Sequence, residues 1–247
     1  MTLKNGLVEL IDKLKVVIQN EVKIITGGNA VSIKKIIDKQ KVSFDIELEN
    51  NSISDIDIVI ITTPAYTTGN LIKNFDDELS SVLLNFPYVS SATVSIGFKS
   101  SEVSHSLEGF GFLIPKTENH KIMATTWTSS KWPFRAPEDY VLLRGFMGGA
   151  ANEKMAYLPE NEMIQIVLDE WKKIMKISAA PVINETYKWI KSMPQYVMGH
   201  EKTVEKIETL ASKHKGLIIF GNYLRGVGIA DCIKNSELIA NKVCDTL

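Results

Sequence analysis

Apolar residues return at helical spacing near the start of the chain, where Leu7, Leu10, Ile11, Leu14 and Val17 or Ile18 share one side, with Asn5 and Gly6 where such a helix would begin. The pattern then shortens. Glu21 to Thr26 (EVKIIT) is strand-like, and Gly27-Gly28-Asn29 is a turn signal. Val31 and Ile33, then Val42, Phe44, Ile46 and Leu48, alternate with polar residues. That period of two predicts a half-buried antiparallel hairpin. Asp57 to Thr62 (DIVIIT) is a β-branched run closed by Thr63-Pro64, with helical material from about Asn70.

Ser91 to Phe98, Gly111 to Pro115, Lys121 to Thr128 and Tyr140 to Met147 have the character of strands of a second sheet. Glu160 to Met175 predicts an amphipathic helix. Met163, Ile164, Val167, Leu168, Trp171, Ile174 and Met175 form its apolar face, opposite Glu162, Asp169, Lys172 and Lys173, and Pro159 suits its first turn. Pro181 to Trp189 predicts a further strand, Glu201 to Lys213 a helix, and Gly216 to Phe220 (GLIIF) a buried strand. A glycine-rich turn leads into a last helix with Ile229, Cys232, Ile233, Ile239, Ala240 and Val243 on one side. Strands and helices are interspersed, without internal repeat or long linker, so the fold class is α/β to α+β.

Composition narrows the function classes. The 247 residues are 45% hydrophobic and 23% charged, ordinary for a globular protein that buries a sizeable core. Lys and Arg total 28 against 29 Asp and Glu, so no basic excess points to nucleic acid. The first residues carry scattered charges rather than a leader's apolar core, and no run reaches the ~18 apolar residues of a membrane span. A cytoplasmic protein is expected. Cys232 and Cys244, if on one helix, stand about 18 Å apart, too far for a disulfide. No histidine lies near either in sequence, so no metal site is expected.

The chain has no P-loop, HExxH, CxxC or GxSxG. His105, His120, His200 and His214 have no acidic residue at a triad-like spacing; His200 in GHEK is expected to cap or orient local backbone. One segment stands apart, Gly216 to Ile233 (GLIIFGNYLRGVGIADCI), in which an apolar strand enters a loop carrying Gly221, Gly226 and Gly228 and then a helix. A helix N-terminus offers free N–H groups to an anion or an electron-rich carbonyl, and glycines allow close approach of a flat or phosphorylated ligand. A tight strand-to-helix turn explains the same glycines. Gly226-Val227-Gly228 lacks the third glycine of GxGxxG, so this loop would be a secondary contact to a nucleotide.

GNYLRGVGIADCI resembles the flavin-binding signature GxxYxGVGIPDCI near the C-terminus of FAD-dependent protoporphyrinogen and coproporphyrinogen oxidases, in the flavin amine oxidase superfamily. Other segments match that family in order. Gly109 to Pro115 (GFGFLIP) is similar to its GFGxLxP strand. Ala124 to Pro133 and Leu142 to Asn152 (LLRGFMGGAAN) resemble its central strand pair, and Trp189 to His200 (WIKSMPQYVMGH) its W…PQYxxGH run. The opening LKNGLVELIDKL resembles the helix after its GGL turn, so the likeness spans nearly the whole chain.

The resemblance implies the C-terminal portion of such an oxidase: part of an FAD/NAD(P)-binding fold and part of a mixed-sheet substrate domain. Residues 1–90 would belong to the FAD-binding domain, 91–180 to the substrate domain, and 181–247 would return to the FAD-binding domain. It implies FAD contacts from Val22 at the adenine, from Trp189 beside the flavin, and from Gly221 and Asn222 near the ribityl and phosphates. Val227, Gly228 and Ile229 would aim their backbone donors at the isoalloxazine pyrimidine. Leu113, Thr126 and Phe146 would sandwich a porphyrinogen, coproporphyrinogen III or protoporphyrinogen IX; Thr126 departs from the leucine of some relatives and Ala230 from the usual proline. The implied chemistry is hydride removal from a meso carbon, with molecular oxygen as final acceptor, and no acid–base residue of the protein is required. The GxGxxG unit of these relatives is absent from this sequence, so either the chain is a truncated product or a separate Rossmann-bearing polypeptide completes it; alone it is expected to bind FAD weakly, and peripheral membrane contact stays open. The rival readings are a non-catalytic remnant or interaction module, and a flavin amine-oxidase-type enzyme with another substrate.

Overall fold

The computed structural model describes residues 2–244, which fall into two compact units: residues up to Pro87 together with those from Pro194 onward, and Tyr88–Met193. Along the chain the first unit supplies α1 (Val8–Ile18), β1 (Ala30–Asp38), β2 (Lys41–Leu48), β3 (Ser52–Ile56), β4 (Val59–Ile61), α2 (Ala65–Ile72) and α3 (Asp77–Leu84). The second holds β5 (Tyr88–Lys99), β6 (Gly111–Leu113), β7 (Ala124–Trp127), α4 (Thr128–Lys131), β8 (Tyr140–Gly148) and α5 (Glu160–Met175), and ends in β9 (Ile183–Pro194). The first unit then resumes with α6 (His200–Ser212), β10 (Leu217–Ile219) and α7 (Ile229–Cys244). The mixed α/β class expected from the pattern is the one observed.

In the first unit β1, β2 and β3 form an antiparallel sheet, with Ile33 opposite Ile46 and Lys35 opposite Phe44. β3 was not expected, because its SISDI sequence buries nothing and so has no apolar alternation. Residues 21–26, expected as a strand, form none: the run is exposed throughout, and β-branched residues make a strand only where a partner accepts the ladder. β4 and β10 pair in parallel, Val59 with Leu217 and Ile61 with Ile219, so the two short apolar runs find each other directly. The core between these strands, α2, α3 and α6 includes Ile72, Leu79, Leu83, Val204 and Ile207. α1 and α7 bury no residue, although both carry an apolar stripe.

A polar cluster fixes one side of this unit. Asp76 caps α3, accepting from the Leu79 N–H at 2.8 Å, and its other carboxylate oxygen meets His214 Nε2 at 2.7 Å. His214 Nδ1 lies 3.0 Å from Lys35 Nζ, and the ring stands edge-on to Phe75. Partial burial alone would raise the Asp76 pKa, but the bonds from His214 and the Leu79 N–H outweigh it and hold the carboxyl below the usual carboxylate value. A depressed folded-state pKa stabilises the fold above the unfolded-state value and is lost as pH falls through the folded one. Acidification through the carboxylate range is therefore expected to weaken this unit. Asp76→Asn, which keeps the cap, should remove about 1–2 kcal/mol at neutral pH and flatten that part of the profile. Urea melts from neutral pH downward check this; equal pH slopes for the two proteins would refute it.

The second unit is a five-stranded sheet, β6-β7-β8-β5-β9. β5 and β8 pair antiparallel from Ser91–Gly148 to Lys99–Tyr140, and β7 pairs with β8 through Ala124–Phe146 and Trp127–Leu143. Directly opposite residues share a face, so one face carries Val94, Ile96, Thr125, Leu143 and Gly145, against which α5 packs Met163, Val167 and Trp171. A side chain at Gly145 would come within 3.0 Å of Val167, so glycine sets how closely α5 approaches. β9 belongs to this sheet, which carries the unit to Met193, beyond the boundary near residue 180 expected from the sequence.

Candidate functional site

Two constellations stand out, one in each unit. In the first, β10 feeds a loop, residues 220–228, that ends at the N-terminus of α7. Gly226 has φ +90°, and a side chain there would meet the Asp231 Cβ at 2.5 Å; one at Gly228 would meet the Asp231 carboxylate at 3.0 Å. Asp231 thus fills the space the two glycines leave, on the inner side of the turn. Val227, Gly228 and Ile229 are exposed, and among the described residues no acceptor takes their N–H groups, while Gly228 O already receives the Cys232 N–H at 2.9 Å. Such a row of unpaired donors at a helix start carries partial positive charge.

Tyr196 holds this loop. Its hydroxyl donates to the Asn222 carbonyl at 2.7 Å and accepts from the Gly226 N–H at 2.7 Å, tying the loop's two ends to one atom. Its ring stacks on His200 with centroids 3.8 Å apart, and His200 Nε2 reaches the Leu224 carbonyl at 2.9 Å. His200 therefore orients local backbone, as its sequence context suggested. Burial raises the Tyr196 pKa, with the Gly226 N–H acting against it, so the phenol stays protonated and able to donate. Gly221 is required by the ring of Tyr223, which would stand 2.5 Å from a side chain there. Tyr196→Phe deletes both loop bonds. Because water reaches the hydroxyl, the expected cost is about 1 kcal/mol, with faster hydrogen exchange confined to residues 221–228; unchanged exchange there would refute the tether.

In the second unit, the sheet face opposite α5 is open. Leu113, Ala124 and Phe146 form one cross-strand row, and Gly111, Thr126 and Arg144 the next. Leu113, Thr126 and Phe146, singled out from the sequence, line one broad cavity of about 600 Å³ with Phe110, Met123 and Ala124. Phe110 and Leu113 are 66% and 84% exposed, a large apolar surface for two neighbouring residues.

A profile of the flavin containing amine oxidoreductases matches residues 1–244. The chain belongs to that family. Among its curated relatives, coproporphyrinogen III oxidase of Bacillus subtilis (strain 168) is 34% identical over 239 residues, 96% of this chain and 49% of the relative. Coproporphyrinogen III oxidase of Staphylococcus aureus (strain NCTC 8325 / PS 47) is 29% identical, covering 97% of this chain and 51% of the relative. The crystal structure of an Exiguobacterium sp. 255-15 protein, provisionally named a protoporphyrinogen oxidase, superposes with a TM-score of 0.85 at 24% identity over 98% of this chain and 51% of that one. The chain spans about half the length of these relatives.

A flavin is the cofactor the family name carries, and the glycine loop fits part of one. Among the described residues its Val227, Gly228 and Ile229 N–H groups have no acceptor, and the first turn of α7 offers an electropositive end suited to an electron-rich carbonyl. Val227 and Ile229 are 56% and 51% exposed, not packed shut in a core. Asn222 gives its carbonyl to Tyr196 and keeps its side chain. Val22 is not on a strand: its N–H bonds Ile18 O at 3.0 Å just after α1, and its side chain is exposed. Trp189 lies in the second unit on β9, half exposed and with its ring 4.3 Å from that of Tyr187.

Sequence reasoning missed the pairing of His120 with Glu170 and of His214 with Asp76, which bridge 50 and 138 residues. Spacing could not reveal them. Glu170 is 3% exposed and is also met by Lys173 Nζ at 3.1 Å, so this pair holds a buried carboxylate within the second unit. No helix among the described residues is long and apolar enough to cross a membrane.

Proposed function

We propose that this chain is the flavin-ring and substrate-binding portion of an FAD-dependent, oxygen-using oxidase that converts a porphyrinogen, coproporphyrinogen III or protoporphyrinogen IX, to the porphyrin in haem synthesis. The observation that carries the reading is the convergence of Leu113, Thr126 and Phe146 on one open apolar cavity. Names of the relatives supply the substrate class. A wide, shallow, apolar floor suits a large flat macrocycle better than a small amine.

When bound, FAD supplies the two-electron acceptor chemistry. The chain's own part is placement. Phe146 and Leu113 present carbon surface to the macrocycle and exclude water from it. Val227, Gly228 and Ile229 donate backbone N–H groups toward the ring's carbonyl edge, while Tyr196 fixes the loop that carries them. Most adenine and phosphate contacts fall to a Rossmann-bearing polypeptide beyond these residues, and the unburied apolar stripes of α1 and α7 offer it surface. Trp189, Gly221, Asn222 and Val22 complete the proposed cofactor contacts.

Purified protein, alone and with a GxGxxG-bearing polypeptide, should take up FAD and show the flavin's visible absorbance; a chain that never acquires flavin would be a remnant or an interaction module. Porphyrin fluorescence on addition of coproporphyrinogen III or protoporphyrinogen IX under air then separates a porphyrinogen oxidase from a flavin enzyme acting elsewhere, which would bind flavin and leave both substrates unchanged.

A further inference from the structure

Arg144 stands exposed on the open face of the second unit's sheet. It projects from β8 directly opposite Thr126 on β7 and Ser95 on β5, one cross-strand row from Phe146. Its Nε donates to Ser95 Oγ at 3.0 Å. Among the described residues no carboxylate pairs with it, whereas Arg225 is held by Glu208 through two bonds of 3.0 and 2.9 Å. Burial of the side chain, and then the like charge of Arg135, push the Arg144 pKa below the usual guanidinium value. An exposed guanidinium without a carboxylate partner among the described residues, placed near a second cation, is an arrangement that favours an incoming anion.

The surroundings say what kind of anion. On one side lies the apolar cavity floored by Phe146. On the other, a second open cavity of about 470 Å³ is lined by Arg135, Tyr140, Leu142 and Ile183 on the same face. Leu142 lies two residues before Arg144 on β8 and shares its face. Lys131 adds positive charge at the rim, 6.0 Å from the ring of Phe110. The face is therefore carbon surface with a charged fork in the middle and cations at its edge. A compact inorganic anion would use only the fork. A flat apolar molecule bearing carboxylates on short arms uses both.

We propose that Arg144 is a substrate-binding residue that takes a carboxylate arm of the macrocycle seated on Phe146 and Leu113, with Ser95 holding the guanidinium plane so that its two terminal nitrogens face the ligand. This rests on the porphyrinogen reading and adds to it a specificity-determining contact. With Nε engaged by Ser95, a guanidinium keeps two terminal nitrogens for bidentate recognition, which an ammonium does not provide. It also ranks ligands: esterified arms lose the contact while their ring keeps the apolar one.

The test uses the full chain, with coproporphyrin III as the probe for a carboxylate-bearing macrocycle and its tetramethyl ester in the same detergent as the probe without charge. Binding is read from quenching of porphyrin fluorescence. Arg144→Gln is expected to weaken coproporphyrin III about ten-fold at low ionic strength, less at high salt, and to leave ester binding unchanged. Arg144→Lys should recover part of the loss and guards against a folding artefact, as do matching melts by circular dichroism. Equal affinity of native protein and Arg144→Gln for coproporphyrin III overturns the role of Arg144 and leaves the porphyrinogen reading intact. An equal loss for acid and ester would make Arg144 structural and overturn the proposal too. No saturable binding of either porphyrin to the native chain overturns both.

Discussion

Replacing Trp171 with alanine is expected to cost the second unit about 3–5 kcal/mol, the range for removing a fully buried large aromatic side chain. Trp171 is wholly buried on α5, edge-on to Phe98 with ring centroids 6.2 Å apart, and close to Gly145. The loss has a polar part. Its indole N–H donates to Thr125 Oγ1 at 2.8 Å in the buried interior, so truncation also leaves a threonine hydroxyl without its donor. Trp171→Phe keeps much of the apolar area and should cost less, and adding Thr125→Val should restore part of that cost by removing the orphaned hydroxyl. Far-UV circular dichroism in urea gives the stabilities. The bond also bears on function. Thr125 lies between Ala124 and Thr126, whose side chains point to the other face, so the indole pins the β7 segment that forms the cavity floor. Trp171→Ala should accordingly raise hydrogen exchange in β7 before β9. A cost below about 1 kcal/mol, or exchange unaltered in β7, would contradict this account of how the open face is held.

How much of this could be read from the chain alone depends on where each signal lives. The α5 pattern is strong because seven apolar residues repeat through four turns against a charged face, and the helix runs over the range expected, Glu160–Met175. β5 was legible because Val94, Ile96 and Phe98 alternate with small or polar residues, and β8 because its apolar run is bounded by turn signals. EVKIIT misled because composition favours a strand wherever it occurs, while a strand exists only in a ladder; here residues 21–26 have none. β3 was invisible for the opposite reason, since its place comes from pairing with β2 and not from burial. The same division runs through the sites. Leu113, Thr126 and Phe146 were reachable through motif likeness, and cross-strand register explains why residues so far apart in sequence share a cavity. Arg144 lies in the LLRGFMGG run, and what distinguishes it is the absence of a carboxylate partner among the described residues, a property of the folded chain and not of the sequence. Tyr196 likewise lay in the PQY run, but its two loop bonds span 26 and 30 residues.

Gly226→Val should be the most damaging substitution in the glycine loop. Two independent effects add. At φ +90° a β-branched residue is strained by about 1–3 kcal/mol whatever the space around it. The new Cβ would also lie 2.5 Å from the Asp231 Cβ, on a helix whose first turn cannot retreat without moving Val227, Gly228 and Ile229; overpacking of this kind costs about 1–3 kcal/mol more. The chain can escape only by flipping the turn, which breaks the Gly226 N–H bond to Tyr196 and scatters the donor row. Flavin occupancy, read from the ratio of visible to protein absorbance, is expected to fall more than ten-fold. The two effects separate by design: Gly226→Asn tolerates positive φ yet still meets Asp231, and Asp231→Gly relieves the collision but not the strain. Asp231→Gly should therefore rescue Gly226→Asn well and Gly226→Val poorly. The second unit's cavity lies outside this loop, so coproporphyrin III binding by the Gly226 variants should match the native chain. Full flavin occupancy in Gly226→Val would mean that the amino end of α7 does not meet the ring, and the cofactor assignment of Val227, Gly228 and Ile229 would have to be given up.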